Sequence, residues 1–275
     1  MEPTFKIQAA ENLTDKANLI IEVSTGGIAY VVIDSKNYCH TLLCYHFPPG
    51  TNLEKMALFI KMSVSTQPIL QESFNKVSII YAYPKAILFP HALIADVDKK
   101  AVLELIHGDI NDDYIRTDFV YKQNLHILYV VPKLLDSIFS YLFSADNITH
   151  QYSLLPDLLP FKNDHLYCIF GNNFFTVQLV KDGCLQAIQS FYFTVPEDVV
   201  YYLLQLCASY GVSTNLVLLQ INGMLDNTSK IYQELYKYFL HIQFSTLPAA
   251  FVYPENINKL PPHYFSHLFS MALCV

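Results

Sequence analysis

The chain has no tryptophan among its 275 residues, and charged side chains make up only 15% of it, well below the roughly 25% usual for soluble domains. The charge present sums to −7 at neutral pH. No basic cluster offsets it, which excludes a broad nucleic-acid footprint. Long apolar runs are missing too: residues 28–33 and 216–219 are strand-length, far short of a bilayer span. Residues 1–15 are polar and mixed, without the apolar centre of a secretory leader. These absences predict a cytoplasmic protein with no transmembrane segment. Cysteine offers no framework either. The six cysteines are scattered, and Cys39 and Cys44, five apart in an expected strand, point to opposite faces and cannot chelate together. Free thiols in a reducing compartment are expected. There is no Gly-x-Ser-x-Gly elbow and no Gly-x-x-x-x-Gly-Lys phosphate loop.

What the chain does have is aromatics. With 20 Tyr and 19 Phe, some rings must remain near the surface, where they would suit a protein partner or self-association. A core unusually rich in tyrosine is the competing reading, and composition leaves both open.

The chain also repeats a structural order after about 147 positions, at residues 19–83 and 166–221. Residues 19–23 and 28–33, rich in Ile and Val, flank Ser24-Thr25-Gly26-Gly27, a hairpin signal whose glycines are free to take positive φ. A third strand at 39–47 ends at Pro48-Pro49-Gly50. Thr51 and Glu54 then form a capping-box pattern before a helix with Leu53, Met56, Ala57 and Ile60 on one face. Residues 77–83 give a fourth strand. In the second statement, strands at 166–170 and 174–180 flank Gly171-Asn172-Asn173, and 185–193 follows the turn Lys181-Asp182-Gly183. Pro196 opens a helix with Glu197 and Asp198 in its first turn, Gly211 closes it, and 216–221 is the last strand.

Between the two statements lie an irregular insertion at about 84–124, with strands at 86–89 and 117–122 and a helix at 97–106, then a strand at 125–131 and a helix at 133–143. A strand at 148–153 and a link at 154–161 with two prolines complete the first half. A last apolar helix is expected at 263–273. The reading is α/β, in two βββαβ lobes at 1–160 and 161–275, facing each other across a cleft.

Three strands, a helix and a further strand, given twice, resembles the actin-like ATPase superfamily with its duplicated RNase H-like lobes. Actin, sugar kinases and the pilus-assembly and cell-division proteins belong to it. More narrowly, residues 19–34 with 77–94 (VSIIYAYPKAILFPHALI) resemble a Bacteroidota family of unknown function. The resemblance implies an Mg-ATP site built from both opening hairpins. There, glycines let backbone N–H groups approach phosphate oxygens and an acid on each first strand holds the hydrated metal ion.

Carried over residue by residue, Glu22 takes the acid's place in the first hairpin, Ser24 that of a glycine, Thr25 that of the hydroxyl, and Gly26 and Gly27 keep the turn flexible. In the second, Ile169 replaces the acid, Asn172 and Asn173 replace glycines after Gly171, and Phe174 replaces a small hydroxyl residue. Two apolar groups beside a triphosphate would desolvate it without a compensating donor. Asn222-Gly223 keeps one glycine of the pair that makes room for adenosine.

Other constellations are weaker. His263 and His267 are four apart but lack a third ligand. The acidic run 109–113 lacks the glycine and closing glutamate of a calcium loop. Sequons at Asn12, Asn147 and Asn227 do not matter without secretion. The expectation is a non-catalytic adaptor or scaffold with no cofactor and no metal; the alternative is an ATP-binding protein with little or no hydrolysis.

Overall fold

The structure is a computed structural model that describes residues 2–9, 16–48, 50–110, 113–158 and 163–275. It divides into two compact units, 1–153 with 249–259 and 275, and 154–248 with 260–274. The segment 249–259 thus goes with the first half, although the sequence reading placed it in the second. It is tied there by a parallel bridge between Tyr38 and Val252, with Cys39 N–H donating to the Val252 carbonyl at 2.9 Å.

The first unit is built on a six-stranded sheet of β1 (Phe5–Gln8), β2 (Asn18–Val23), β3 (Gly27–Ile33), β4 (Cys39–His46), β5 (Lys76–Tyr81) and β9 (Asn147–His150). The order is β1-β4-β3-β2-β5-β9, antiparallel from β1 to β2 and parallel from β2 to β9. Ile and Val dominate β2 and β3 because branched side chains fill a pleated, buried surface well. Helix α1 (Leu53–Thr66) docks through Met56, Ala57, Ile60 and Val64, and its buried Ser63 meets the Tyr30 hydroxyl at 2.7 Å. Its cap is not the expected Thr51. Asn52 accepts from Lys55 N–H at 3.0 Å, while the Thr51 hydroxyl turns back to the Pro48 carbonyl.

The insertion forms its own three-stranded sheet, β6-β8-β7, from β6 (Ala86–Pro90), β7 (Tyr114–Val120) and β8 (Leu125–Val131). Helix α2 (Lys99–His107) buries Leu103 against Ile87, Ile110, Leu128 and Val130. Helix α3 (Lys133–Leu142) brings Phe139 to Tyr81 edge-on, centroids 6.2 Å apart. The edge strand β7 carries the chain's single arginine and an acid at alternate positions. Arg116 pairs with Asp136 of α3 at 2.8 Å, and Asp118 accepts from Tyr129, Thr149, His150 N–H and Ser153 at 2.6–3.0 Å. A carboxylate with four donors is a strong local tie, and it fastens the insertion to β9.

The expected proline-bearing link after β9 is instead helix α4 (Gln151–Leu158), with Pro156 inside it; residues 159–162 lie outside the described residues. Burial of Tyr152, Leu154 and Leu155 outweighs the helix-breaking cost of that proline.

The second unit has the order β12-β11-β10-β13-β14, from β10 (His165–Phe170), β11 (Phe174–Lys181), β12 (Cys184–Tyr192), β13 (Leu218–Gly223) and β14 (His241–Phe244). β10 is antiparallel to β11 and parallel to β13, the same pairings that β2 makes with β3 and β5. Asp182 and Gly183 both take positive φ in the β11–β12 turn, as a two-residue hairpin requires. Helices α5 (Pro196–Tyr210) and α6 (Lys230–Leu235) cover the face carrying Cys168, Val177 and Ile221. Helix α7 (Glu255–Asn258) lies in the segment assigned to the first unit. The expected C-terminal helix is interrupted: Pro262–Tyr264 is a 3-10 turn and α8 spans only Ser266–Ala272.

Candidate phosphate hairpins

The first hairpin joins β2 to β3. Ser24 N–H donates to the Gly27 carbonyl at 2.9 Å, closing the turn, and the Ser24 hydroxyl accepts from Gly26 N–H at 3.2 Å. The Gly26 amide, the kind of donor that a phosphate cradle needs, is therefore turned onto the hairpin's own side chain. Gly27 does not supply positive φ as expected; it is strand, and a Cβ there would collide with the Tyr45 carbonyl oxygen. Its role is close approach of two strands. Thr25 Oγ1 is cut off from solvent with no hydrogen-bond partner among the described residues, a state that costs about 1–3 kcal/mol.

Glu22 sits in the row Cys44–Ala29–Glu22–Ile80–Thr149 across four successive strand pairings. Its carboxyl oxygen Oε2 is out of contact with water. Burial pushes the carboxyl up to about 8, so at neutral pH Glu22 is mostly protonated. A neutral acid does not anchor a hydrated cation unless the ion itself drives the proton off.

In the second hairpin Gly171 N–H donates to the Phe174 carbonyl at 2.9 Å. The buried Phe174 ring lies against Gly171, its edge 3.1 Å from where a Cβ would stand, and tilts toward Tyr192 with centroids 6.2 Å apart. Asn172 and Asn173 are exposed at the tip, and the Asn173 carbonyl accepts from Phe193 N–H. The row matching that of Glu22 reads Ser190–Thr176–Ile169–Asn222, and its polar members are occupied. Thr176 and Ser190 share a hydroxyl bond of 2.8 Å. Asn222 donates to the Cys168 carbonyl at 3.2 Å and accepts from Ser266 of α8 at 2.6 Å. Gly223 has φ +95°, and a Cβ there would strike the Phe170 carbonyl oxygen, so this glycine is required on both counts.

The structure thus brings together Glu22, Ser24, Thr25, Gly26 and Gly27 in the first unit. In the second it brings together Gly171, Asn172, Asn173, Asn222 and Gly223, at adjacent strand ends. The residues of the second group do not fit a triphosphate with its magnesium ion. The acid position is aliphatic, an aromatic ring lies on the glycine, and the buried amide is already used on both sides.

The remaining constellations resolve into packing. His263 is on the 3-10 turn rather than α8; its Nε2 meets the Leu225 carbonyl at 2.7 Å and its ring stacks on Phe244. His267 is buried, and desolvation lowers its pKa to about 4. Among the described residues no three His, Cys, Asp or Glu could hold a metal ion. Asn111 and Asp112 of the acidic run, and the Asn12 sequon, lie outside the described residues. Cys39, Cys44, Cys168 and Cys207 are buried free thiols, whereas Cys184 and Cys274 are exposed. Among the described residues no helix is long and apolar enough to cross a membrane. Sequence reasoning missed the Asp118 hub, for which the signal was two charged residues at alternate positions inside a strand.

With that geometry in view, comparison with known proteins gives the family and the fold. The chain belongs to DUF3822, a family described as protein of unknown function, which matches residues 7–242. Comparison with curated proteins gives no match. Similar solved structures include a Bacteroides thetaiotaomicron VPI-5482 protein with actin-like ATPase fold and unknown function. Its TM-score is 0.74 at 17% identity, over 84% of this chain and 91% of that one. A second is the PilM–PilN type IV pilus biogenesis complex, at TM-score 0.66 and 10% identity over 94% and 98%. A third is the ethanolamine utilization protein EutJ from Carboxydothermus hydrogenoformans, at 0.55 and 8% over 96% and 91%. Identities this low carry the fold and nothing more. The chain has the actin-like ATPase fold, as its strand order implied.

Proposed function

We propose that this DUF3822 protein is a non-catalytic, cytoplasmic adaptor or scaffold that has kept the actin-like frame and given up the nucleotide chemistry. The observation that carries this reading is the second hairpin, where Ile169 stands at the acid position and the Phe174 ring rests on Gly171. A triphosphate there would lose its hydration against apolar groups and gain no donor in return. Binding falls instead to the surface. Tyr121, Tyr141, Tyr201 and Tyr236 are all more than 60% exposed, and tyrosine offers large, stiff contact area with a polar tip. PilM, a structural neighbour, is solved in complex with PilN, which supports by analogy a partner-binding use of this frame. Light scattering over a dilution series, with a pull-down from lysate, tests the proposal. The expected outcome is a concentration-dependent mass or one reproducible partner whose capture falls when Tyr141 or Tyr201 is changed to Ser. A monomer that captures nothing contradicts it.

One observation favours a second reading. The Thr25 hydroxyl, buried and without a partner among the described residues, is a polar atom that a phosphate oxygen would satisfy. In that reading the first hairpin alone, through Glu22, Thr25, Gly26 and Gly27, holds Mg-ATP with weak or no hydrolysis. A melting temperature that rises with Mg-ATP in wild type but not in Thr25→Val would support it.

A further inference from the structure

The insertion carries a groove of about 710 Å³, remote in sequence from both hairpins. Its walls are mixed: Ile94, Val97 and Ile115 are apolar, and Asp98, Lys99, Lys100, Thr117 and His126 are polar or charged. Of its two lysines, one forms an ion pair and the other bonds to a hydroxyl. The half-buried Lys99 donates from Nζ to the Thr117 hydroxyl at 3.2 Å and has no carboxylate partner among the described residues. The nearest acid in sequence, Asp98, accepts with Oδ1 from Lys100 and Ala101 N–H as the cap of α2. Lys100 is compensated separately by Glu104 at 3.6 Å.

His126 adds a polar ring to this wall. Its Nε2 meets His91 Nδ1 at 2.9 Å, with the rings nearly parallel. Burial lowers the His126 pKa, and the nearby His91 and Lys99 lower it further, against the Asp118 backbone carbonyl, which raises it. Lys99, Thr117 and the His126 ring thus line one groove, beside Lys100 and the Asp98 carboxylate, in a chain whose net charge is −7. A lysine held by a hydroxyl rather than a carboxylate keeps donors to offer an anionic group.

We propose that this groove binds a small molecule bearing an oxyanion on an apolar body, with Lys99, Thr117 and His126 meeting the oxyanion and Ile94, Val97 and Ile115 the body. The inference goes beyond the adaptor reading and does not depend on it. A phosphoryl or a carboxylate group could supply the charge, and a pair of probes separates them.

The full-length protein, labelled at histidine, is titrated with phenyl phosphate, benzoate and inorganic phosphate while the His126 ring resonances are followed. The expected result is a saturable millimolar response to phenyl phosphate, benzoate or both, stronger than to inorganic phosphate because the apolar wall contributes. It is accompanied by a rise in the His126 pKa. Lys99→Met, which keeps the aliphatic stem, should weaken binding about tenfold or more without lowering the melting temperature. If that variant fails to fold, Thr117→Val gives the same readout with a smaller loss. Linear, non-saturating shifts with every probe, or equal binding by wild type and Lys99→Met, would overturn the proposal.

Discussion

The two opening strands make an instructive pair. In the first unit an acid, Glu22, stands in a row of Cys44, Ala29, Ile80 and Thr149, whose one hydroxyl is bonded to Asp118. In the second an aliphatic residue, Ile169, stands in a row of Ser190, Thr176 and Asn222, which satisfy one another and α8. Acid and polar residues thus fall at corresponding rows of two different sheets whose central strand pairings match. A carboxylate needs donors to stay ionised, and donors without an acid find other partners. On the proposed reading the whole row differs from a phosphate site, so one residue would not restore it.

The comparison is broken most severely at the glycine that only the second sheet has at this register. Tyr81 fills the matching place in the first. Gly223→Ala must adopt φ +95° and meet the Phe170 carbonyl oxygen. The expected loss is about 3 kcal/mol or more, some 6–12 °C in melting temperature. Gly171→Ala, which meets the Phe174 ring edge at 3.1 Å and its carbonyl oxygen at 3.3 Å and needs no positive φ, should cost far less. Equal losses in the two variants would contradict the geometry.

Next in size is the loss of the Asn222 ties. Asn222→Ala frees the Ser266 hydroxyl and the Cys168 carbonyl in a buried setting, at about 1–3 kcal/mol. Chemical denaturation measures it, and Ser266→Ala should be largely non-additive with it. Full additivity would show that the two residues do not share the bond.

Glu22 gives a pH signature. Its folded carboxyl keeps its proton to about pH 8, whereas an unfolded glutamate releases it near about 4.3. Between those values the folded state binds more protons, so stability from neutral Glu22 is full at low pH. It declines as pH rises through that window, by up to about 1.4 kcal/mol per pH unit. The buried His150 and His267, both lowered to about 4 by desolvation, act in the opposite sense and lose stability as pH falls below about 6.5. The difference between wild type and Glu22→Gln isolates the glutamate: smallest below about pH 4 and growing in favour of the variant toward pH 8. A flat difference would mean that Glu22 is ionised in the fold.

Much of this architecture was legible in the sequence, because it rests on local signals. Ile- and Val-rich runs broken by Ser-Thr-Gly-Gly or Asp-Gly turns gave the hairpins, and Pro196 with Glu197 and Asp198 gave the start of α5. What was not legible depends on partners distant in the chain. Strand β1 shows one buried side chain in four residues and exists because β4 offers an edge. Helix α4 forms through a proline because its leucines and Tyr152 find cover. The expected helix at 263–273 breaks because the His263 ring packs on Phe244. At the candidate site, residue types were readable, but their occupation was not. Nothing in a string of letters tells that Ser266 has already claimed Asn222.

The smallest expected effect tests the alternative reading. Thr25→Val removes a buried hydroxyl without a partner and should be neutral or slightly stabilising, within about 1 kcal/mol. A larger destabilisation would mean that the hydroxyl serves a contact after all.

The central claim, that the second hairpin no longer admits a triphosphate, is tested most directly by thermal unfolding of the full chain with and without millimolar Mg-ATP. The account expects superimposable curves. A ligand present at a hundred times its dissociation constant stabilises by about 2.7 kcal/mol. A concentration-dependent rise on that scale, which wild type shows and Gly171→Trp abolishes, would contradict the account.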